Sequence, residues 1–491
     1  MVKYKGGKQR NDLGITSANS TYLKFYPKWK KCRDAVDGED RIKEMGIMYL
    51  PRPSGMNDND FSDYKTRAQF FNAVGRTLDG LAGMLNRKPC IVNVPKGMEK
   101  YLDNVDGKGH SFSQFVDMVC KDSLITGWGG LLVDMPQSDN TVSQADFEKN
   151  GLYAYMVYYK AEAITKYLWK EKGRFNNLKY VILKEPTEVE TEGTFNTEIK
   201  DYWRVLQLDE SGKYKQSLYN DLLVPVFETF PKWKQGTFSE IPFYFTSVNT
   251  EPEEPMLSDL VNVNLSHYRK SADYENGLHW TGVATPYERG WLPETKYDEK
   301  GNEIAQEPMK LGGTQFLYFP PGTEQVGYLE FSGNGLGQIS QAMDKDEERM
   351  AILGARIIAQ QKKGVEAAET AKIHNAAENS VLASFANNMS KTFSKALRYY
   401  LMLTTGKDIP QEDVSVHINT DYDVSTMSPA ELTALVSLWQ SGGIAKSDLF
   451  RNLKEGEILD ADRKIDEMNE EIEEEQKQRM PVLGQEQENE E

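Results

Sequence analysis

Residues 256–358 constrain the fold most, because they read as a helix, a short β-rich stretch and a second helix, in that order. Met256 to Tyr274 (MLSDLVNVNLSHYRKSADY) sets Leu257, Leu260, Val261, Leu265 and Tyr268 at helical spacing, and Asn276 and Gly277 loosen the pattern at its end. Ile339 to Ile358 (ISQAMDKDEERMAILGARII) gives the second helix. Between them lie GLHWTGVATPYERGW, a polar hairpin-like stretch with a turn signal at Lys300-Gly301-Asn302, and GTQFLYFPPGTEQVGYLEF, whose strands are broken by Pro320 and Pro321. An insertion of roughly 50 residues thus leaves one helix and returns to the other.

The flanking segments define an α+β chain. Asp60 to Leu85 carries Phe70, Val74, Leu78, Leu81 and Leu85 close to a 3.6 period and predicts one amphipathic helix. Ser113 to Ile125 predicts another, running into TGWGG and a short apolar strand, Leu131 to Asp134. Glycines before a strand invite a phosphate-loop reading, but the order here is helix, turn, strand, and no Gly-Lys-Ser/Thr follows. From Tyr153 to Val248 the segments YMVYYK, LKYVILKE, KDYWRVLQLD, DLLVPVFETF and IPFYFTSV predict an antiparallel sheet. Beyond Ile358 come AQQKKG, a helix from Glu366 to Leu403, the strand DVSVHIN, and a small helical domain that opens at Ser428-Pro429-Ala430-Glu431 and stops at Gly442-Gly443. At about 100–200 residues per domain, 491 residues allow two to four domains.

Composition excludes several classes. A hydrophobic fraction of 39% with 11% aromatics is that of a folding chain rather than an acidic disordered polymer. No run approaches the ~18 apolar residues of a spanning helix, and MVKYKGGKQRNDLG lacks the apolar stretch of a signal peptide, so a soluble protein without membrane partners is expected. Cys32, Cys90 and Cys120 are odd in number and without C-x-x-C spacing, which favours buried free thiols over disulfides or a structural zinc. The five histidines are scattered; His267 and His279 share a face only if one helix runs through both. Hydrolase elbows, zinc-protease and nucleotide-loop motifs are missing, so no catalytic residue, metal or cofactor is assigned.

The net charge of −17 counts against binding nucleic acid unless a local basic patch overrides it. Charge is polarised along the chain. Residues 1–33 hold nine basic side chains against one acid, a net of +8, and residues 461–491 hold four against twelve, a net of −8. In the basic segment Lys3, Lys5, Lys8, Arg10, Lys28, Lys30 and Lys31 are candidate contacts to DNA or protein, with Tyr22, Phe25, Tyr26 and Trp29 interleaved.

Tyr49 to Pro89, Asp122 to Pro136, Ser271 to Gly290 and Met427 to Ile444 together resemble, in order and spacing, the successive signatures of portal proteins of tailed bacteriophages, in a branch often labelled only as an uncharacterised phage domain. The resemblance implies a homo-oligomeric ring, usually of twelve subunits, at one capsid vertex. Double-stranded DNA passes through it, and the terminase large subunit, the major capsid or scaffold protein and a tail adaptor bind it. It implies location in the virion, after assembly in the host cytoplasm, and a subunit of wing, helical stem, β-rich clip and helical crown. Mapped onto this chain, residues 1–48 form a basic N-terminal arm and 49–255 the wing; 256–278 and 334–358 are stem helices around a clip at 279–333. Residues 359–368 then form a tunnel loop, 369–424 the return to the wing, 425–480 the crown and 481–491 an acidic tail. The loop places Gln360, Gln361, Lys362 and Lys363 toward DNA. The competing classes are a structural head–tail adaptor that does not thread DNA, and a hydrolase.

Overall fold

The computed structural model describes residues 14–136, 153–172, 175–191, 193–233, 236–247, 251–282, 285–289, 300, 317–319, 325–329, 332–358, 381–420, 422, 429–455, 458–459, 468 and 471. The chain divides into two compact units, Met1–Thr420 and Asp421–Glu491.

In the first unit, α1 (Ser20–Asp37) starts where the Asn19 side chain accepts the Tyr22 N–H at 2.7 Å, and it ends at Gly38, whose φ of 90° suits glycine. Phe25, Trp29 and Cys32 recur at helical spacing and are buried, while the lysines occupy the remaining faces. The described part of the expected basic arm is therefore a core helix, because its interleaved aromatics form an apolar stripe. α2 (Glu39–Met45) follows directly.

The helix expected over Asp60–Leu85 is two helices, α3 (Asp58–Arg67) and α4 (Ala73–Leu85). Asn57 caps the first by accepting the Asp60 N–H at 2.9 Å, Ala68 turns extended at ψ 139°, and Asn72 caps the second by accepting the Gly75 N–H at 2.9 Å. Phe70 sits in the break, buried edge-on against Tyr268 at 5.9 Å. Its apparent helical spacing reflected burial rather than helix.

After β1 (Ile91–Asn93), α5 (Phe112–Thr126) opens with a reciprocal Ser111–Gln114 capping box and closes on left-handed Gly127. β2 (Gly129–Asp134) is buried throughout and lies between β3 (Tyr155–Lys160) and β11 (Phe243–Phe245), both antiparallel to it. A Cβ on Gly130 would stand 2.1 Å from the Phe243 ring. The glycines of TGWGG thus end a helix and admit close packing.

A five-stranded antiparallel sheet in the order β4-β5-β6-β7-β8 follows, built from β4 (Ile164–Lys172), β5 (Phe175–Glu190), β6 (Thr197–Leu208), β7 (Tyr214–Tyr219) and β8 (Pro225–Thr229). The short strands β9 (Lys232–Trp233) and β10 (Gly236–Thr237) pair with each other. One face of the large sheet closes with α1 and β2 over Trp29, Trp128, Leu132, Val181, Leu206 and Tyr214. Trp128 stacks on Phe245 at 4.6 Å. The other face carries a smaller cluster of Ile15, Ile182, Trp203, Val205 and Tyr219.

Next come α6 (Ser258–Thr281), three strands, β12 (Thr285–Arg289), β13 (Leu317–Phe319) and β14 (Gln325–Leu329), and then α7 (Leu336–Ile358). Asn276 and Gly277 do not end α6; they lie inside it. α8 (Val381–Thr405) buries Phe393, Leu397 and Tyr400, and β15 (Ser415–His417) returns to pair with β1. AQQKKG and the start of the helix expected from Glu366 lie outside the described residues. In the second unit α9 (Pro429–Gln440), with proline in its first turn as expected, and α10 (Lys446–Glu455) flank the Gly442 turn.

Candidate functional site

The helix–strand–helix segment is one device. α6 and α7 pack antiparallel: Leu336 lies over Gly277, Asp346 accepts from the Lys270 ammonium at 2.5 Å, and Glu347 lies 3.3 Å from His267, so residue numbers rise on one helix as they fall on the other. Gly277 gives room to Leu336, whose terminal methyl would stand 2.4 Å from a Cβ there and would have to turn aside. Asp346 is 2% exposed and also lies 3.4 Å from Arg349. Burying a carboxylate is tolerable only with such partners.

The first two-thirds of α6 are anchored in the unit. Leu260, Val261, Leu265, Tyr268 and Ala272 are buried, Asn264 donates to the Phe71 carbonyl at 2.8 Å, and Ser271 donates to the Gln69 carbonyl at 2.7 Å. Past Ala272 no residue of α6 is buried, and Leu278 and Trp280 stand exposed. The far end of the pair therefore projects, and from it the chain enters a three-stranded sheet in which β12 is central. β13 runs parallel to β12, with Tyr287 opposite Leu317, and β14 runs antiparallel, with Thr285 opposite Leu329.

The basic candidates fare differently. Lys28 pairs with Glu254, Lys31 donates to Asn262 at 2.7 Å, and Lys30 lies 3.6 Å from Asp34. The first two tie α1 to α6 and the segment that leads into it, and the third lies within α1. Lys3, Lys5, Lys8 and Arg10, and the loop residues Gln360, Gln361, Lys362 and Lys363, lie outside the described residues.

Two arginine centres escaped the sequence analysis. Arg33 forks onto Asp122 at 2.7 and 3.0 Å and also bonds Glu162, while the Tyr158 hydroxyl donates to Asp122 at 2.8 Å. Burial pushes the Asp122 carboxyl up, but the Arg33 bonds outweigh it and hold the group below the usual carboxylate range. Arg204 bonds Glu185 at 2.5 and 3.2 Å and lies 3.6 Å from Asp134, which accepts from Gln216 at 3.1 Å. Both centres line a cavity of about 1020 Å³ between α1, β3 and the sheet. Their carboxylates are committed to guanidinium, so the cavity wall reads as ion-paired structure rather than as an acid–base pair. The partners lie 89 and 129 residues from Arg33, which no local motif reveals.

Among the described residues no group of three His, Cys, Asp or Glu could hold a metal, and no helix is long and apolar enough to cross a membrane. The cysteines are free, Cys32 and Cys120 buried and Cys90 partly so, as expected. α6 does run through His267 and His279, yet twelve residues turn the face by about 120°. His267 is buried at the α7 contact, and His279 lies beside Trp280.

A family model described as "Domain of unknown function (DUF4055)" matches residues 255–403, the stretch holding α6, the small sheet, α7 and most of α8. A search of curated proteins returns no match. Among solved structures, the chain is similar to one titled "Virion of native gene transfer agent (GTA) particle", with a TM-score of 0.33 and 12% identity over 82% of this chain and 95% of that one. It is similar at the same score and identity to one titled "Neck of native GTA particle computed with C12 symmetry", over 84% of this chain and 98% of that one.

Proposed function

We propose that this chain is the subunit of a phage-type portal, a ring at one capsid vertex through which double-stranded DNA is packaged and ejected. The observation that carries the reading is the antiparallel α6–α7 pair, anchored at one end in a large α+β body and bearing a small sheet at its projecting end. A stem that bears a clip requires this arrangement, and the exposed Leu278, Trp280 and Ile352 give the pair apolar surface for neighbouring helices. Residues 1–255 and 369–424 then make the wing, and residues 425–480 the crown.

The mechanism is physical. A conduit must centre a duplex without holding it, because each Lys or Arg that neutralises a phosphate releases counterions and strengthens binding. A net charge of −17 per subunit keeps the average interaction repulsive. Lys362 and Lys363 supply rings of positive charge in the tunnel loop, and Gln360 and Gln361 supply neutral hydrogen-bonding groups. With Lys28 and Lys31 engaged inside the subunit, contacts of the basic N-terminus to DNA, capsid or scaffold fall to Lys3, Lys5, Lys8 and Arg10. The clip sheet takes the terminase large subunit and later the tail adaptor.

Negative-stain images of the purified chain test the reading. Rings with an open central channel are expected; closed discs would favour an adaptor that does not thread DNA, and particles no larger than a single subunit would overturn both.

A further inference from the structure

The acidity of the chain is uneven, and α8 stands apart from it. Residues 379–407 contain no Asp or Glu, the longest such stretch in the chain, while Lys391, Lys395, Arg398 and Lys407 lie within it. Most of α8 faces the core, with Phe393, Leu397 and Tyr400 buried. Past its first residue the helix is exposed only at Asn387, Lys391 and Lys395, and Ser384, Asn388 and Arg398 lie half-buried in the same stripe. At 3.6 residues per turn these six positions span about 100° of the helix.

Both flanks of the stripe are held by the body of the unit. On one side Ser390 and Ser394 accept from the Ile418 and Val416 N–H groups at 3.0 and 2.9 Å, and on the other Thr392 donates to the Phe245 carbonyl at 3.2 Å. Lys391 and Lys395 are left between β15 and β11, one turn apart. Arg398 is engaged by the Ile409 carbonyl at 2.6 Å, whereas among the described residues neither lysine takes part in an ion pair. Between Ser384 and Arg398 the stripe offers lysines, amides and a hydroxyl, and no apolar side chain. The core of a protein interface is enriched in aromatics and Met and depleted in Lys, so such a stripe suits a polyanion better than a neighbouring protein. Lys meets phosphate as a point charge, and contacts of that kind position a duplex without reading its sequence. α8 is also the first described element after residues 359–368, and Lys391 stands about 15 Å from its start.

We propose that Lys391 and Lys395, with Asn387 and Asn388 beside them, form a sequence-independent contact to the phosphate backbone of double-stranded DNA, a second basic ring in addition to Lys362 and Lys363. This rests on the portal reading, which supplies the duplex, and adds a contact made by the body of the subunit rather than by its loop. It is also the local basic patch that a chain of net charge −17 needs if it is to touch DNA at all.

The test measures binding of a fluorescent duplex of about 30 base pairs to the assembled full-length chain by anisotropy, over roughly 20–200 mM NaCl. Each neutralised phosphate contributes ~0.9 to the slope of log affinity against log salt, so Lys391→Gln/Lys395→Gln should lower that slope by about 1.8 for every subunit in contact, equally on two unrelated sequences. Gln has nearly the helix propensity of Lys, so α8 should stay folded. Lys391→Arg/Lys395→Arg should keep the slope, and so should Lys108→Gln/Lys213→Gln, an equal loss of charge at exposed positions elsewhere in the unit. If rings form but bind no duplex at the lowest salt, or if Lys391→Gln/Lys395→Gln loses no more slope than the Lys108→Gln/Lys213→Gln control, the site is wrong and the portal reading stands. If Lys391→Gln/Lys395→Gln no longer forms rings, the stripe joins neighbouring copies and the site is again wrong. If the unsubstituted chain forms no rings, the portal reading fails and the site with it.

Discussion

Replacing Arg33 by Met should destabilise the first unit far more than the loss of a surface charge would. The guanidinium holds Asp122 by two hydrogen bonds, at 2.7 and 3.0 Å, and Glu162 by a third, and all three side chains are largely buried. Methionine keeps most of the packing and strands two carboxylates beneath α1. Breaking a buried pair by removing one partner costs about 3–5 kcal/mol, because the remaining charge keeps its desolvation penalty. At ~2–4 °C per kcal/mol for a large domain, the first melting transition should fall by roughly 6–20 °C. Adding Asp122→Asn to Arg33→Met should recover part of that loss, since one stranded charge is gone. The assay is differential scanning calorimetry at neutral pH on the full chain, following the first transition. An Arg33→Met protein melting within about one degree of the unsubstituted chain would refute the reasoning, since an exposed pair would give that result.

Three further outcomes follow. The Asp122 carboxyl titrates below its unfolded value of about 3.9, so its contribution is fully present above that pH and is lost as pH falls through the depressed folded value; melting temperature should drop below about pH 4, and less steeply in Asp122→Asn. Gly130→Ala places a methyl group 2.1 Å from the Phe243 ring inside a buried sheet and should cost about 1–3 kcal/mol by urea unfolding, whereas Gly80→Ala on α4, where nothing lies within 4 Å, should not destabilise. Lys362→Ala/Lys363→Ala particles should package at an altered rate or length, measured by single-particle packaging or by the size of protected DNA; full genomes at an unchanged rate would remove these lysines from the tunnel.

The parts of the fold that were legible in sequence are those with local periodicity. Leu257 to Tyr268 announced α6, alternating segments announced β5, β6 and β8 of the large sheet, and Pro429 with Gly442 bounded α9, whereas β4 and β7 went unread and YMVYYK and IPFYFTSV pair with β2 in the three-stranded sheet. Misreadings arose where a tertiary partner overrode local pattern. Phe70 mimicked a helical position because Tyr268 buries it, and α1 resembled a basic arm because its lysines interleave with the apolar residues that face the core. Gly277, which loosens the helical pattern in sequence, lies inside α6 under Leu336, some sixty residues on, where the second helix packs. Asp346 stands among charged neighbours in sequence, yet Lys270 draws it inside. The arginine centres were invisible for the same reason, since their members meet only when α1, α5 and the sheet are assembled.

Native mass spectrometry of the purified full-length chain, joined to images of the same sample, tests the central claim most directly. A portal subunit should give one dominant assembly at an integral multiple of 55.9 kDa, seen end-on as a ring with an open channel. A single species at 55.9 kDa across concentrations and salt would contradict the account.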